Sequence, residues 1–148
     1  MNLRPATRAD GAALAQAHAA AFDEPWSADD ILRFASDRGG FALVAEDGEA
    51  LAGFILCRQM AGEAEVLTLA VRPEARRRGI GRALLEAALA LSTPTSSAMF
   101  LEVAADNPGA IALYQGAGFS VVGRRASYYG RRDAPSVDAL VMRRLLNS

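Results

Sequence analysis

At 148 residues and 51% hydrophobic side chains, the chain is long enough to bury its own core and too apolar for a disordered segment. Sixteen basic residues, every one an arginine, meet seventeen acids for a net charge of −1, which argues against a nucleic-acid binder. A single cysteine excludes a disulfide framework, and no apolar run approaches the length of a bilayer span or a signal peptide. One cytoplasmic domain over residues 1–148 is expected, a monomer with neither a membrane nor a nucleic-acid partner.

Residues 3–5 read as a short strand. Asp10 stands where it can cap a helix whose apolar face carries Leu14, Ala17, His18 and Ala21. His18, the only histidine, is read as a packed side chain, since the sequence offers no triad or metal partner for it. Ser27, with Asp30 three positions on, opens a second helix through Ile31, Leu32, Phe34 and Ala35. Between the two helices lies Trp26, either a core anchor or part of a substrate mouth. Asp23, Glu24, Asp29 and Asp30 make that loop acidic, which suits a basic peptide segment.

Residues 41–46 and 51–60 alternate as strands about a hairpin signal at Asp47-Gly48, and Gly62 turns the chain into a third strand, 63–71. Cys57 falls inside the second of these and is expected as a buried small hydrophobe. After the third strand comes Arg76-Arg77-Arg78-Gly79-Ile80-Gly81-Arg82. Ile80, Ala83, Leu84, Ala87, Ala88 and Leu91 then share one helical face, until Thr93-Pro94. Residues 99–104 form a further strand, and reaching it through a helix implies parallel pairing with the strand before. Asn107-Pro108 opens a helix over 109–117 that Gly118 closes. Residues 119–123 and 137–145 are the last two strands.

The strand, glycine-broken turn and helix around Gly79 carry the chemistry. A helix start presents unpaired N–H groups and the positive end of a dipole, and glycines let an anion approach them. A plain tight turn with a solvated arginine face is the alternative. The Walker loop is excluded because the chain has no lysine, and the dinucleotide fingerprint because Leu84 stands where its third glycine belongs. Glu102 is the one charged residue among Phe100, Leu101, Val103 and Ala104. A carboxylate on an inner strand is costly unless used or paired, so it is either chemically active or bonded to an arginine.

Arg76-x-x-Gly79-x-Gly81 resembles the pyrophosphate loop of the GCN5-related N-acetyltransferases (GNAT). Pro25-Trp26-Ser27, Leu69-Ala70-Val71, residues 77–86, Leu101-Glu102-Val103, Asn107, residues 110–114, Gly118-Phe119 and Tyr128-Tyr129 resemble the RimI-type group of that family. The first forty residues and the loop 131–136 match weakly. The resemblance implies an α/β fold: a mixed, mostly antiparallel sheet flanked by helices, with a parallel strand pair splayed at the coenzyme. It implies acetyl-coenzyme A as co-substrate and no metal. Backbone groups of Leu69, Ala70 and Val71 would take the pantetheine arm. Arg77, Arg78, Gly79, Ile80, Gly81 and Arg82 would hold the pyrophosphate, and Asn107 would reach toward the thiol.

In that group Glu102 corresponds to the general base and Tyr114 to the general acid. An ordinary phenol keeps its proton at pH 7 and can donate it; a packed aromatic is the alternative for Tyr114. Glu63 and Glu65 are rival bases. Trp26, Tyr128 and Tyr129 would face the acceptor. The implied reaction moves acetyl onto the N-terminal alanine amine of a small-subunit ribosomal protein, in a ternary complex. At pH 7 about a tenth of α-amines are already neutral, against about one lysine in a few thousand, so a single modest base suits an N-terminus. A small-molecule amine as acceptor, or a non-catalytic acetyl-coenzyme A-binding module, are the other readings.

Overall fold

The computed structural model describes residues 1–130 and 135–146. Most of the weakly matching loop, residues 131–134, lies outside the described residues. Seven strands, β1 (Asn2–Pro5), β2 (Gly40–Asp47), β3 (Ala50–Met60), β4 (Glu63–Val71), β5 (Ala98–Ala104), β6 (Ser120–Tyr129) and β7 (Val137–Leu145), form one sheet in the order β1-β2-β3-β4-β5-β7-β6. The short hairpins follow the turn chemistry. Gly48 has φ +68°, and the β3–β4 turn sets both Ala61 and Gly62 left-handed, at φ +53° and +82°. Among the described residues only β4 and β5 run parallel, joined through helix α3 (Ile80–Ser92).

Helices α1 (Gly11–Ala21) and α2 (Ala28–Ser36) cover one face, packing Leu14, Ala17 and Ile31 on Val44, Phe54, Leu56 and Ala70. Helices α3 and α4 (Pro108–Gly116) cover the other, where Ile80, Leu84, Leu85 and Ala88 meet Ile55, Met99, Leu101 and Met142. β3 is buried on both faces and so reads as a continuous apolar run. Cys57 lies inside it, buried, and its burial pushes the thiol well above its usual range. Among the described residues no helix is long and apolar enough to cross a membrane.

The local signals at the helix ends are mostly obeyed. Ser27 Oγ accepts from the Asp30 N–H at 3.1 Å, as an N-cap should. Asp10 stands at the N-cap of α1, but its carboxylate accepts instead from the Thr7 N–H and pairs with Arg4 at 2.8 Å, which holds it well below the usual carboxylate range.

One irregularity shapes the site. On β3 the neighbours Leu56 and Cys57 pair with Thr68 and Val66, leaving Leu67 as an extra residue on β4. Before this bulge Ala64 and Val66 face the α3 side; after it Ala70 joins the α1 side and Thr68 meets His18 of α1. Parallel pairing with β5 ends at Val66–Leu101, although β4 continues to Val71 and β5 to Ala104. A bulge bends its strand and can terminate a ladder. Here it forks the sheet.

β6 is longer than its sequence suggests. Expected over 119–123, it continues to Tyr129 as an edge strand, with register shifts against β7 between Val121 and Gly123 and between Arg125 and Tyr129. Gly123-Arg124-Arg125-Ala126-Ser127 has no apolar alternation, because little of this edge is covered on either face.

Candidate active site

The anion seat begins where β4 leaves the sheet. A short 3₁₀ turn, Pro73–Ala75, is followed by Arg77 at φ +63° and Gly79 at φ +77°, and α3 starts at Ile80. Gly79 is the N-cap and offers no side-chain acceptor, so the first-turn N–H groups of α3 keep their capacity for an external anion. A Cβ added at Gly79 would meet no heavy atom within 4 Å, so that side of the loop is open to a ligand. At Gly81 a Cβ would stand 3.4 Å from Leu113 Cδ2, which shows how closely α4 approaches.

The arginines contribute less charge than their number suggests. Arg78 pairs with Asp47 at 2.6 Å and Arg82 with Glu86 at 2.7 Å, while Arg76 donates to the Val71 carbonyl at 3.3 Å and braces the loop on β4. The backbone donors are therefore the main anion-attracting feature. This seat suits a diphosphate.

Beyond the bulge, residues 67–71 of β4 have no strand on the β5 side, so Leu69, Ala70 and Val71 present a free ladder edge to the fork. An extended amide-bearing chain can pair there. Asn107 caps α4 by accepting from the Ala110 N–H at 3.1 Å. At the far end of α4, the Gly118 N–H donates to Gln115 and the Phe119 N–H to Tyr114, both at 3.0 Å, with Gly118 at φ +94°. This is a Schellman cap, and its apolar contact is Phe119 against Tyr114, ring centroids 6.0 Å apart. The cap thus fixes Tyr114. The Tyr114 phenol is buried, and that burial, with Tyr129 and Cys57 nearby, raises its pKa well above the ordinary value. It holds its proton more firmly than a free tyrosine.

A cleft of about 420 Å³ opens on the sheet face over the paired part of β4 and β5, reaching the fork only at Glu102, and is lined by Arg58, Glu63, Glu65, Phe100, Glu102 and Arg125 among others. Glu102 is the first β5 residue past the last parallel pair. Its side chain is 22% exposed, with Oε1 3.1 Å from Arg125 Nη2. Its Oε2 is buried and has no hydrogen-bond partner among the described residues. Glu65 is 42% exposed and pairs with Arg58 at 2.9 Å. Both carboxylates are arginine-paired, so the ion-pair alternative for Glu102 is realised; the orphaned oxygen is what that alternative leaves unexplained.

On the acceptor side the expected residues divide. Trp26 is half-buried: its ring stacks on His18 at 5.3 Å and meets Phe34 at 5.6 Å, and its backbone N–H donates to His18 Nδ1 at 3.1 Å. With Nδ1 accepting, Nε2 carries the proton and donates to Thr68 Oγ1 at 3.1 Å. His18 is packed, as expected, but it also clasps the α1–α2 loop to β4. Tyr128 is exposed, its ring 5.1 Å from the Arg125 guanidinium carbon and 5.1 Å from the Tyr129 ring. The loop and the end of β6 meet, since a Cβ at Gly130 would lie 3.7 Å from Glu24 Oε1. Sequence reasoning passed over Arg125. Its only signal was a basic pair in a stretch that did not read as strand.

Comparison with known proteins gives a consistent answer. The Acetyltransferase (GNAT) family matches residues 11–119. N-alpha-acetyltransferase RimI of Mycobacterium tuberculosis is 37% identical over 144 residues, 93% of this chain and 88% of that protein. The [ribosomal protein bS18]-alanine N-acetyltransferase of Escherichia coli K12 is 36% identical over 122 residues, 80% of this chain and 79% of that one. An uncharacterised Mycobacterium leprae protein is 37% identical over 126 residues, of which the matched part spans only 34% of its length. The crystal structure of the Escherichia coli ribosomal-protein-S18-alanine N-acetyltransferase superposes with a TM-score of 0.92 at 28% identity, covering 99% of this chain and 94% of that one. Extent of match and agreement of fold together place the chain in the GNAT family, as an acetyl-coenzyme A-dependent acyltransferase of the RimI type.

Proposed function

We propose that the protein acetylates the N-terminal α-amine of a protein, with the alanine terminus of a small-subunit ribosomal protein as its acceptor. The names of the bacterial relatives support this acceptor class. The observation that carries the chemistry is Glu102 at the fork, with one buried oxygen left without a partner among the described residues. Acetyl-coenzyme A supplies the thioester. The N–H groups from Gly79 to Arg82 receive its diphosphate, the free edge of Leu69, Ala70 and Val71 aligns the pantetheine, and the Asn107 amide donates near the thiol. Glu102 takes the proton of the acceptor amine, directly or through water, as the nitrogen attacks the carbonyl carbon. When the carbon–sulfur bond breaks, the Tyr114 O–H delivers a proton to sulfur.

Tyr128 and Tyr129 would face the acceptor, and Trp26, stacked on His18, would hold the α1–α2 loop beside it. The acidic loop, with Glu24 close to Gly130 at the end of β6, would take the body of a basic peptide. The deciding assay compares an alanine-starting basic peptide with spermidine, an aminoglycoside and free amino acids. The expected result is a kcat/KM for the peptide at least about tenfold above any small amine, a difference of about 1.4 kcal/mol in transition-state binding. A small amine turned over best would replace the acceptor class. Turnover of nothing, with acetyl-coenzyme A still bound, would make the chain a binding module. In the same assay at low salt, neutralising Asp23, Glu24, Asp29 and Asp30 together should raise the peptide KM; an unchanged KM would remove the loop from acceptor binding.

A further inference from the structure

The guanidinium of Arg125 touches two groups that each favour a cation. Its Nη2 is 3.1 Å from Glu102 Oε1, and its carbon lies over the ring of Tyr128, 5.1 Å from the centroid. A carboxylate facing an aromatic ring is the chemistry that recognises an ammonium. We infer that Arg125 occupies the acceptor's cation subsite, so that an incoming ammonium displaces the guanidinium from Glu102 and takes its place over Tyr128. The inference rests on Glu102 serving as the acceptor's base.

Three features make Arg125 displaceable. Its side chain is 56% exposed, so a released guanidinium returns to water at small cost. The pair with Glu102 is given by one contact at 3.1 Å, and half-exposed pairs of this kind contribute little net stability. The strand around it is irregular: register with β7 shifts between Arg125 and Tyr129, and Ser127 sits at φ +51°. Neighbouring Arg124 is held differently. It pairs with Asp138, which also accepts from the Ser127 N–H at 2.8 Å, and so fixes the strand while Arg125 stays outside that clasp.

The consequence is selection. An acceptor that arrives as a cation can exchange with Arg125, whereas a neutral amine must open the pair with nothing to replace it. Glu102 then takes one proton of the bound ammonium to free its lone pair; the second leaves the nitrogen after attack and replaces the proton that Tyr114 gives to sulfur.

Steady-state kinetics with an alanine-starting peptide test this on the intact protein. R125Q should lower the peptide KM about three- to tenfold, the combined worth of a surface ion pair and a cation–π contact, with kcat within about twofold of wild type. R124Q removes the same charge one residue away, leaves Asp138 to accept from the Ser127 N–H and hold the strand, and should leave KM unchanged. Guanidinium ion at non-denaturing millimolar concentration should compete with the peptide in R125Q and not in wild type, where the tethered group already fills the place. R125K keeps a cation on the strand and should remain near the wild-type KM, so a misfolded R125Q would still leave a reading. A raised or unchanged KM in R125Q, an equal fall in R124Q, or equal guanidinium inhibition of both proteins would overturn the assignment. Wild-type protein that turns over no amine would instead refute the acetyl-transfer reading, a separate outcome.

Discussion

Replacing Glu102 by glutamine lowers kcat about a hundredfold and leaves the affinity for acetyl-coenzyme A unchanged. The size is that of a lost general base. The carboxamide keeps the shape of the side chain at the fork but cannot take a proton, and the diphosphate seat lies on a different segment, at the start of α3. Titration with acetyl-coenzyme A in a calorimeter and turnover at saturating peptide separate the two effects. The defect should narrow as pH rises past about 8, where an α-amine sheds its proton without help. Tyr114→Phe should cost about tenfold in kcat with the same unchanged coenzyme affinity, since a thiolate must then leave without its proton donor. The buried phenol, with its raised pKa, stays protonated beyond the ordinary tyrosine range, so its contribution should persist into alkaline solution. Wild-type turnover in Glu102→Gln would move the base to Glu65 or Glu63, the other carboxylates on the cleft wall.

What could be read in advance was what is local. The glycine turn and α3 announce themselves within about fifteen residues, because a helix start and its apolar stripe are short-range patterns. Glu102 stood out as a lone charge in an apolar strand, and Asn107 as a cap before a proline. The remainder depends on residues far apart in sequence. The extra residue at Leu67 is defined only by its pairing with Leu56 and Cys57. Nothing in Val66-Leu67-Thr68-Leu69 distinguishes a bulged strand from a regular one, yet that bulge marks where the sheet opens. Arg125 belongs to the site because β7 places β6 within reach of β5, which a run of arginine, alanine and serine does not reveal. The stacking of Trp26 on His18 likewise joins residues that the sequence does not show to be partners.

Acidification from pH 6.5 to about 4 should destabilise the fold by about 3 kcal/mol through His18 alone. The imidazole is 2% exposed, and burial pushes its pKa down from 6.5 to about 4. Its Nδ1 already accepts from the Trp26 N–H, so protonation there would break that bond and bury a charge. The sign follows from the depressed value. Between about 4 and 6.5 the unfolded chain holds the proton and the folded one does not, so stability is full above 6.5 and falls as pH drops. Asp10 and Glu46, whose arginine pairs lower their pKa values, add to acid loss only from about pH 4.5 downward, where the free carboxyls begin to protonate. The upper part of the window therefore belongs to His18, the only histidine in the chain. Urea denaturation at half-unit pH steps should show the slope in wild type and its loss in His18→Gln, whose amide can accept from Trp26 and donate to Thr68 without titrating. Because His18 ties Trp26 and the α1–α2 loop to β4, the peptide KM should rise over the same window before the protein unfolds, while coenzyme affinity holds. A flat stability profile between pH 5 and 6.5 would mean that the clasp opens freely, and that the loop owes its position to the core contacts of Trp26 with Phe34.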